Sequence, residues 1–245
     1  MKRAFRIIWF GMVVVFFTWQ WSTYQAHNLP TDTFSDNKNV SVHEEKDKIT
    51  FLAKRASNEY EIIFFQGGLT DPEAYALLCK KIAEQGYTCH LIKMDWRMPQ
   101  WNYEKTSELF DFTQRDFILM GHSQGGKMAA QFAYENPGVL KGLVLLGTSH
   151  PRDIDLSNIA LPTVKLYAEN DGLASVEEVL ENRSKLPVDT KLILIPGGNH
   201  SQFGYLGKLF TDNEASISLE RQQEMILLYF LEFVDQMVFE DHIAK

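Results

Sequence analysis

The feature that most constrains this chain is a repeated alternation between short, continuous apolar runs and amphipathic stretches of helical length. Ile62–Phe65 is apolar throughout and ends in Gln66-Gly67-Gly68, the pattern of a strand buried on both faces. Pro72–Gln85 follows, with Ala74, Leu77, Leu78 and Ile82 at helical spacing and a proline suited to the first turn. The series continues with strand Cys89–Ile92, a helix near Lys105–Thr113, strand Phe117–Met120, helix Lys127–Tyr134 and strands Leu143–Leu146 and Thr163–Ala168. Helix Val176–Lys185, strand Leu192–Ile195 and a long helix near Ser218–Phe239 close it. Upstream, Val40–Glu44 and Ile49–Leu52 read as a leading hairpin. Strands alternating with helices imply βαβ crossovers, so the expected class is α/β, a mainly parallel twisted sheet with helices on both faces. Such sheets bind ligands beyond the carboxyl ends of their strands, which directs attention to the loops after Phe65, Ile92, Met120, Leu146, Ala168 and Ile195.

At 245 residues, 45% apolar and 23% charged, the chain fits one sizeable domain with an appendage. Lys plus Arg number 24 against 32 Asp plus Glu; removing Lys2, Arg3 and Arg6 leaves 21 against 32, or −11 for the remainder. A body that acidic offers no footprint for a nucleic-acid backbone. Cys79 and Cys89 are too few for a disulfide framework and lack a CxxC spacing for metal or redox work, so they read as buried free thiols.

The three basic residues precede an unbroken apolar run, Ile7–Phe17, which reaches Tyr24 through Trp19 and Trp21. The order basic, apolar, polar is that of an export signal. Eighteen residues from Ile7 to Tyr24 span about 27 Å, near the hydrocarbon thickness of a bilayer. Residues 1–26 are therefore read as a signal-anchor, the alternative being a signal peptide that is cleaved. The bulky Tyr24 at the −3 position of the best cleavage site favours the anchor. The basic cluster then holds the N-terminus in the cytoplasm and places the rest of the chain, a polar linker over 27–39 and a domain over 40–245, outside it.

The loop after Met120 carries the chemistry. Gly121-His122-Ser123-Gln124-Gly125 is a G-x-S-x-G string set between an apolar strand and a helix, and there a serine on a sharp turn projects its hydroxyl past the sheet edge. The helix that follows aims N–H groups and a positive dipole end at the same spot. The phosphate-binding alternatives lack their Gly-Lys-Ser/Thr or G-x-G-x-x-G patterns. A serine hydroxyl needs a base. His200 is the leading histidine, placed after strand Leu192–Ile195 by Pro196-Gly197-Gly198-Asn199, with His150 the rival in the loop after Leu146. The acid that orients the base is Asp171, in Glu169-Asn170-Asp171-Gly172 after Ala168, with Glu169 the alternative.

These segments, with Gln66-Gly67-Gly68-Leu69-Thr70-Asp71-Pro72-Glu73-Ala74-Tyr75 and Gly198-Asn199-His200-Ser201-Gln202-Phe203-Gly204-Tyr205, resemble the α/β-hydrolase superfamily. Within it the chain is similar to small lidless enzymes near the dienelactone-hydrolase-like esterases. The resemblance implies a Ser123, Asp171, His200 triad, in the chain order Ser, acid, His, and no cofactor or metal. One departure is Phe65-Gln66 before the glycine pair, where a small residue or proline is expected. The two oxyanion N–H groups should come from Gln124 and from either Gly68 or Leu69. Only residues 147–162 separate the strands between which caps are usually inserted, so no cap domain is expected. Trp96, Met98 and Trp101, in the loop after Ile92, are candidates for an apolar substrate wall, the alternative being that they pack as core. Together these readings give a serine hydrolase acting on a small-molecule ester or thioester. The rivals are a peptidase or acyltransferase with the same residues, and a non-catalytic binding module.

Overall fold

The computed structural model describes residues 2–55, 60–150 and 153–243. Eight strands form one sheet in the order β1-β2-β4-β3-β5-β6-β7-β8. The hairpin of β1 (Val40–Glu44) and β2 (Lys48–Ala53) is antiparallel, and β2 pairs antiparallel with β4. The remaining strands, β3 (Tyr60–Phe65), β4 (Cys89–Ile92), β5 (Asp116–His122), β6 (Gly142–Leu146), β7 (Thr163–Ala168) and β8 (Lys191–Ile195), run parallel. The apolar runs that marked β3 to β7 are buried on both faces, as parallel pairing under two helical layers requires.

Helix α1 (Lys2–Thr23) stands off the body with nearly all of its side chains exposed. One face of the sheet packs against α2 (Ala76–Glu84), which extends a 3₁₀ turn at Pro72–Tyr75. Two short helical turns, α3 (Pro99–Asn102) and α4 (Thr106–Leu109), precede α5 (Gln124–Glu135), whose Ala129, Ala130 and Phe132 cover the opposite face. Ser175 caps α6 (Val176–Glu181) by accepting the N–H of Glu178 at 3.2 Å, and α7 (Leu219–Ile243) returns to the first face through Ile226, Phe230 and Val234. Cys79 on α2 and Cys89 on β4 are both buried and free, and burial raises the Cys89 thiol well above its ordinary value.

Several expected boundaries shift; the helix expected over Val176–Lys185, for one, ends at Glu181. The helix expected over Lys105–Thr113 stops at Leu109, because Asp111 turns the chain by accepting both the N–H and the hydroxyl of Thr113. Phe110 and Phe112 then face the core, their rings 5.2 and 5.1 Å from that of Phe117. The stretch 27–39 lies along the body: Thr33 is fully buried, and the Lys80 ammonium donates to the carbonyls of Asp32 and Ser35.

Candidate active site

Ser123 sits between β5 and α5 with φ 52° and ψ −119°, a conformation that a non-glycine residue holds only when its surroundings enforce it. Those surroundings are visible. Its N–H donates to the Leu146 carbonyl at 2.9 Å, and its carbonyl accepts from the Thr148 hydroxyl at 2.8 Å. The flanking glycines are there for space: a Cβ on Gly121 would stand 2.5 Å from the Gly125 carbonyl oxygen, and one on Gly125 2.1 Å from that of Gln66. The turn can exist only because both positions lack a side chain.

His200 reaches the same sheet edge from the loop after β8 and is 2% exposed. Its Nδ1 lies 2.9 Å from Oδ2 and 3.0 Å from Oδ1 of Asp171, in the loop after β7. Asp171 Oδ1 also accepts the N–H groups of Leu173 at 2.8 Å and Ala174 at 2.6 Å, which fixes the carboxylate against the ring. Glu169, the other acid considered, instead accepts the N–H of Gly197 at 2.7 Å and braces the neighbouring loop. His150, the other base considered, is turned inward with Nε2 2.9 Å from the Ile154 carbonyl.

Ser123 and His200 line one cleft of about 230 Å³, together with Gly68, Leu69 and Gln124. Gly68 lies directly against the start of α5, since a Cβ on it would stand 3.2 Å from that of Gln124. The Leu69 N–H is taken by the Arg97 carbonyl at 2.6 Å, and Leu69 itself has φ 62°. Met98 lines the cleft with Gln100, whereas Trp96 and Trp101 are outside its lining, 83% and 63% exposed. A larger cavity of about 680 Å³ opens among the segments preceding β7 and β8 and the end of α7; none of the candidate residues lines it. Among the described residues, no three His, Cys, Asp or Glu side chains converge as metal ligands would.

Several residues hold this arrangement in ways the sequence did not signal. Asp212 is 5% exposed and accepts from the backbone N–H of His200 (3.3 Å), Ser201 (2.7 Å) and Gly172 (3.1 Å), and from the Ser201 hydroxyl at 2.6 Å. One carboxylate thereby ties the His200 loop to the Asp171 loop. Tyr75 accepts the Gly67 N–H at 3.1 Å and lies 2.8 Å from His122 Nδ1, joining the β3 loop to the turn at Ser123. Gln66, the departure from the expected small residue, is fully buried and donates to the Thr70 carbonyl at 2.7 Å, closing the same loop from inside. The His122 ring centroid is 4.6 Å from that of His200. Burial, and then the charge that His200 can carry, hold His122 well below the usual imidazole range, so it stays neutral beside its neighbour.

A family model described as the alpha/beta hydrolase family matches residues 61–224, two thirds of the chain and the loop that follows each parallel strand. The chain belongs to the alpha/beta hydrolase family. Solved alpha/beta hydrolase structures agree at the level of fold. An enzyme from the sediment metagenome of the Mar Chica lagoon, Morocco, matches at TM-score 0.55 and 15% identity, over 78% of this chain and 98% of that one. A predicted CIB-like hydrolase from Thermoplasma acidophilum matches at TM-score 0.56 and 14% identity, over 78% and 98% of the two chains. Est1E from Butyrivibrio proteoclasticus with bound ferulic acid matches at TM-score 0.56 and 14% identity, over 82% and 98%. Comparison with curated proteins gives no significant match.

Proposed function

We propose that this alpha/beta hydrolase is a membrane-anchored serine hydrolase that cleaves a carboxylic ester or thioester through an acyl-enzyme. The observation that carries the reading is the Asp171–His200 pair, buried at 2.9 Å, on the cleft that Ser123 lines. In this reading Asp171 holds the proton on His200 Nδ1, which leaves Nε2 free to take the Ser123 proton as Oγ attacks the substrate carbonyl. The same nitrogen then protonates the leaving alcohol or thiol, and water repeats the sequence to release the acid.

The oxyanion of the tetrahedral intermediate is met by the N–H of Gln124, at the first position of α5, and by that of Gly68. Gly68 is chosen over Leu69 because the Leu69 N–H is already spent on Arg97. Helix α1 supplies the anchor. Its 22 residues extend about 33 Å, Phe5–Thr23 has a mean hydropathy of 1.2, and the basic residues at its start favour a cytoplasmic N-terminus. The catalytic domain then lies outside the cytoplasm.

Turnover of p-nitrophenyl esters of graded chain length tests the proposal. Saturable hydrolysis that disappears in Ser123→Ala is expected. Negligible activity on the whole series, in protein whose Ser123 still reacts with a fluorophosphonate, would point to a peptidase or acyltransferase instead.

A further inference from the structure

We infer that the cleft is seated in the membrane surface and draws its substrate from the bilayer, so that the ester it cleaves is a lipid ester whose acyl tail remains among the lipids. The inference rests on the ester-hydrolase reading and on α1 as a membrane span, and names the substrate class for both.

The span and the cleft are fastened together. Tyr24, the first residue after α1, lines the cleft with Ser123 and His200, and its carbonyl accepts the Asp71 N–H at 2.8 Å. Ala26 bridges to Leu206, and the His27 N–H donates to the Tyr205 carbonyl at 2.8 Å. Arg97 completes the joint: its guanidinium lies 5.0 Å from the Trp21 ring centroid, donates to Gln25 Oε1 at 2.9 Å and pairs with Asp71 at 3.0 Å. A helix held at so many points does not act as a loose tether.

The depth of the seat follows from Phe210. This ring is 60% exposed, yet its centroid is 5.6 Å from that of Phe16 and 6.2 Å from that of Trp19 on α1. Phe16 stands seven residues before Thr23, about 10 Å up the helix, inside the apolar run. If that run occupies hydrocarbon, Phe210 is immersed beside it. Leu209, the preceding residue, lines the cleft. Adjacent residues thus face the span and the site.

The size of the cleft points the same way. About 230 Å³ is less than the roughly 300–1,000 Å³ that encloses a whole drug-sized ligand. The cleft holds the reacting ester and a few carbons, and the rest of the substrate must lie beyond a rim where Leu69 is 44% and Leu173 38% exposed. With the rim at the bilayer surface, that remainder stays in lipid.

The test uses the full-length protein in phosphatidylcholine vesicles. Oleate release from dioleoylglycerol dissolved in the bilayer is compared with hydrolysis of p-nitrophenyl butyrate in the aqueous phase. Phe210→Asp places a charge in the seat without touching the cleft lining. It should lower oleate release by about tenfold or more and leave butyrate hydrolysis within about twofold, tenfold being the factor that ~1.4 kcal/mol represents. A fluorophore on Phe210→Cys should in addition be quenched by lipids carrying a nitroxide on the acyl chain, a reading that does not depend on how Phe210→Asp folds. Hydrolysis of the butyrate with dioleoylglycerol left intact, or an unquenched fluorophore, would overturn the inference and leave the ester hydrolase standing. Failure on both esters would remove the ester-hydrolase reading itself.

Discussion

His200 Nδ1 lies within 3.0 Å of both carboxylate oxygens of Asp171, and one of those oxygens is held in turn by two backbone N–H groups of its own loop. A carboxylate fixed in this way holds the ring in one orientation and sets its tautomer. Asp171→Asn preserves the shape but removes the charge and the obligate acceptor, so kcat should fall by about 10³–10⁴-fold with little change in KM. Steady-state kinetics on a p-nitrophenyl ester, with circular dichroism to confirm folding, check it.

Asp212 acts on the site through the backbone of both loops. In Asp212→Asn one acceptor oxygen remains where the carboxylate offered two, so the site loses either the Ser201 contacts on Oδ2 or the shared His200 and Gly172 contacts on Oδ1. An intermediate loss is expected, about 10–100-fold in kcat, the range seen when outer groups that orient a site are removed. The rate of fluorophosphonate labelling should fall in parallel. A variant with lower thermal stability but an unchanged labelling rate would assign Asp212 to stability alone.

The turn around Ser123 has no room for a methyl group at Gly125, where a Cβ would stand 2.1 Å from the Gln66 and 2.4 Å from the Phe65 carbonyl oxygen. Neither neighbour can withdraw, because both belong to the end of β3 and the loop it feeds. Gly125→Ala should therefore cost at least about 4 kcal/mol of stability, among the larger single-residue effects. Denaturant unfolding measures it.

Two groups give stability a defined dependence on pH. Buried His122 titrates well below an unfolded histidine, so the unfolded chain takes up a proton that the folded one refuses. Stability on this account is full above about pH 6.5 and falls by about 1.4 kcal/mol per unit as pH drops toward the folded pKa. His122→Gln, whose amide oxygen can still face Tyr75, should flatten that acid limb of a thermal-melting series.

Lys165 on β7 is fully buried, its ammonium has no hydrogen-bond partner, and burial lowers its pKa from 10.5 to about 8. Below pH 8 the folded protein carries a costly charge; between 8 and 10.5 the folded state sheds the proton first, and stability rises with pH. Lys165→Met should thus raise stability by up to about 3 kcal/mol at neutral pH, with the gain shrinking toward pH 10. Melting temperatures of the two proteins across that range test the sign.

The loops that build the candidate site were readable because each is announced locally. Apolar runs ending in Gly67-Gly68, Gly121, Glu169 and Pro196-Gly197 mark carboxyl ends of parallel strands, and a parallel sheet brings those ends to one edge. What braces them was not readable. Asp212 lies in an irregular stretch with no periodicity, and the Tyr75–His122 contact joins positions 47 residues apart. Nor does composition give direction: in the loop after β4, Met98 turns into the cleft while Trp96 and Trp101 face out. The role of Tyr24 in the cleft depends on how α1 meets the body, a tertiary relation that residues 1–26 alone do not express.

The most direct test of the central claim is mass spectrometry of the full-length protein after reaction with a fluorophosphonate, read at the peptide level. Covalent modification of Ser123 alone, slowed by several orders of magnitude in His200→Ala, is the predicted result. An unmodified Ser123, or a rate indifferent to the loss of the imidazole, would contradict it.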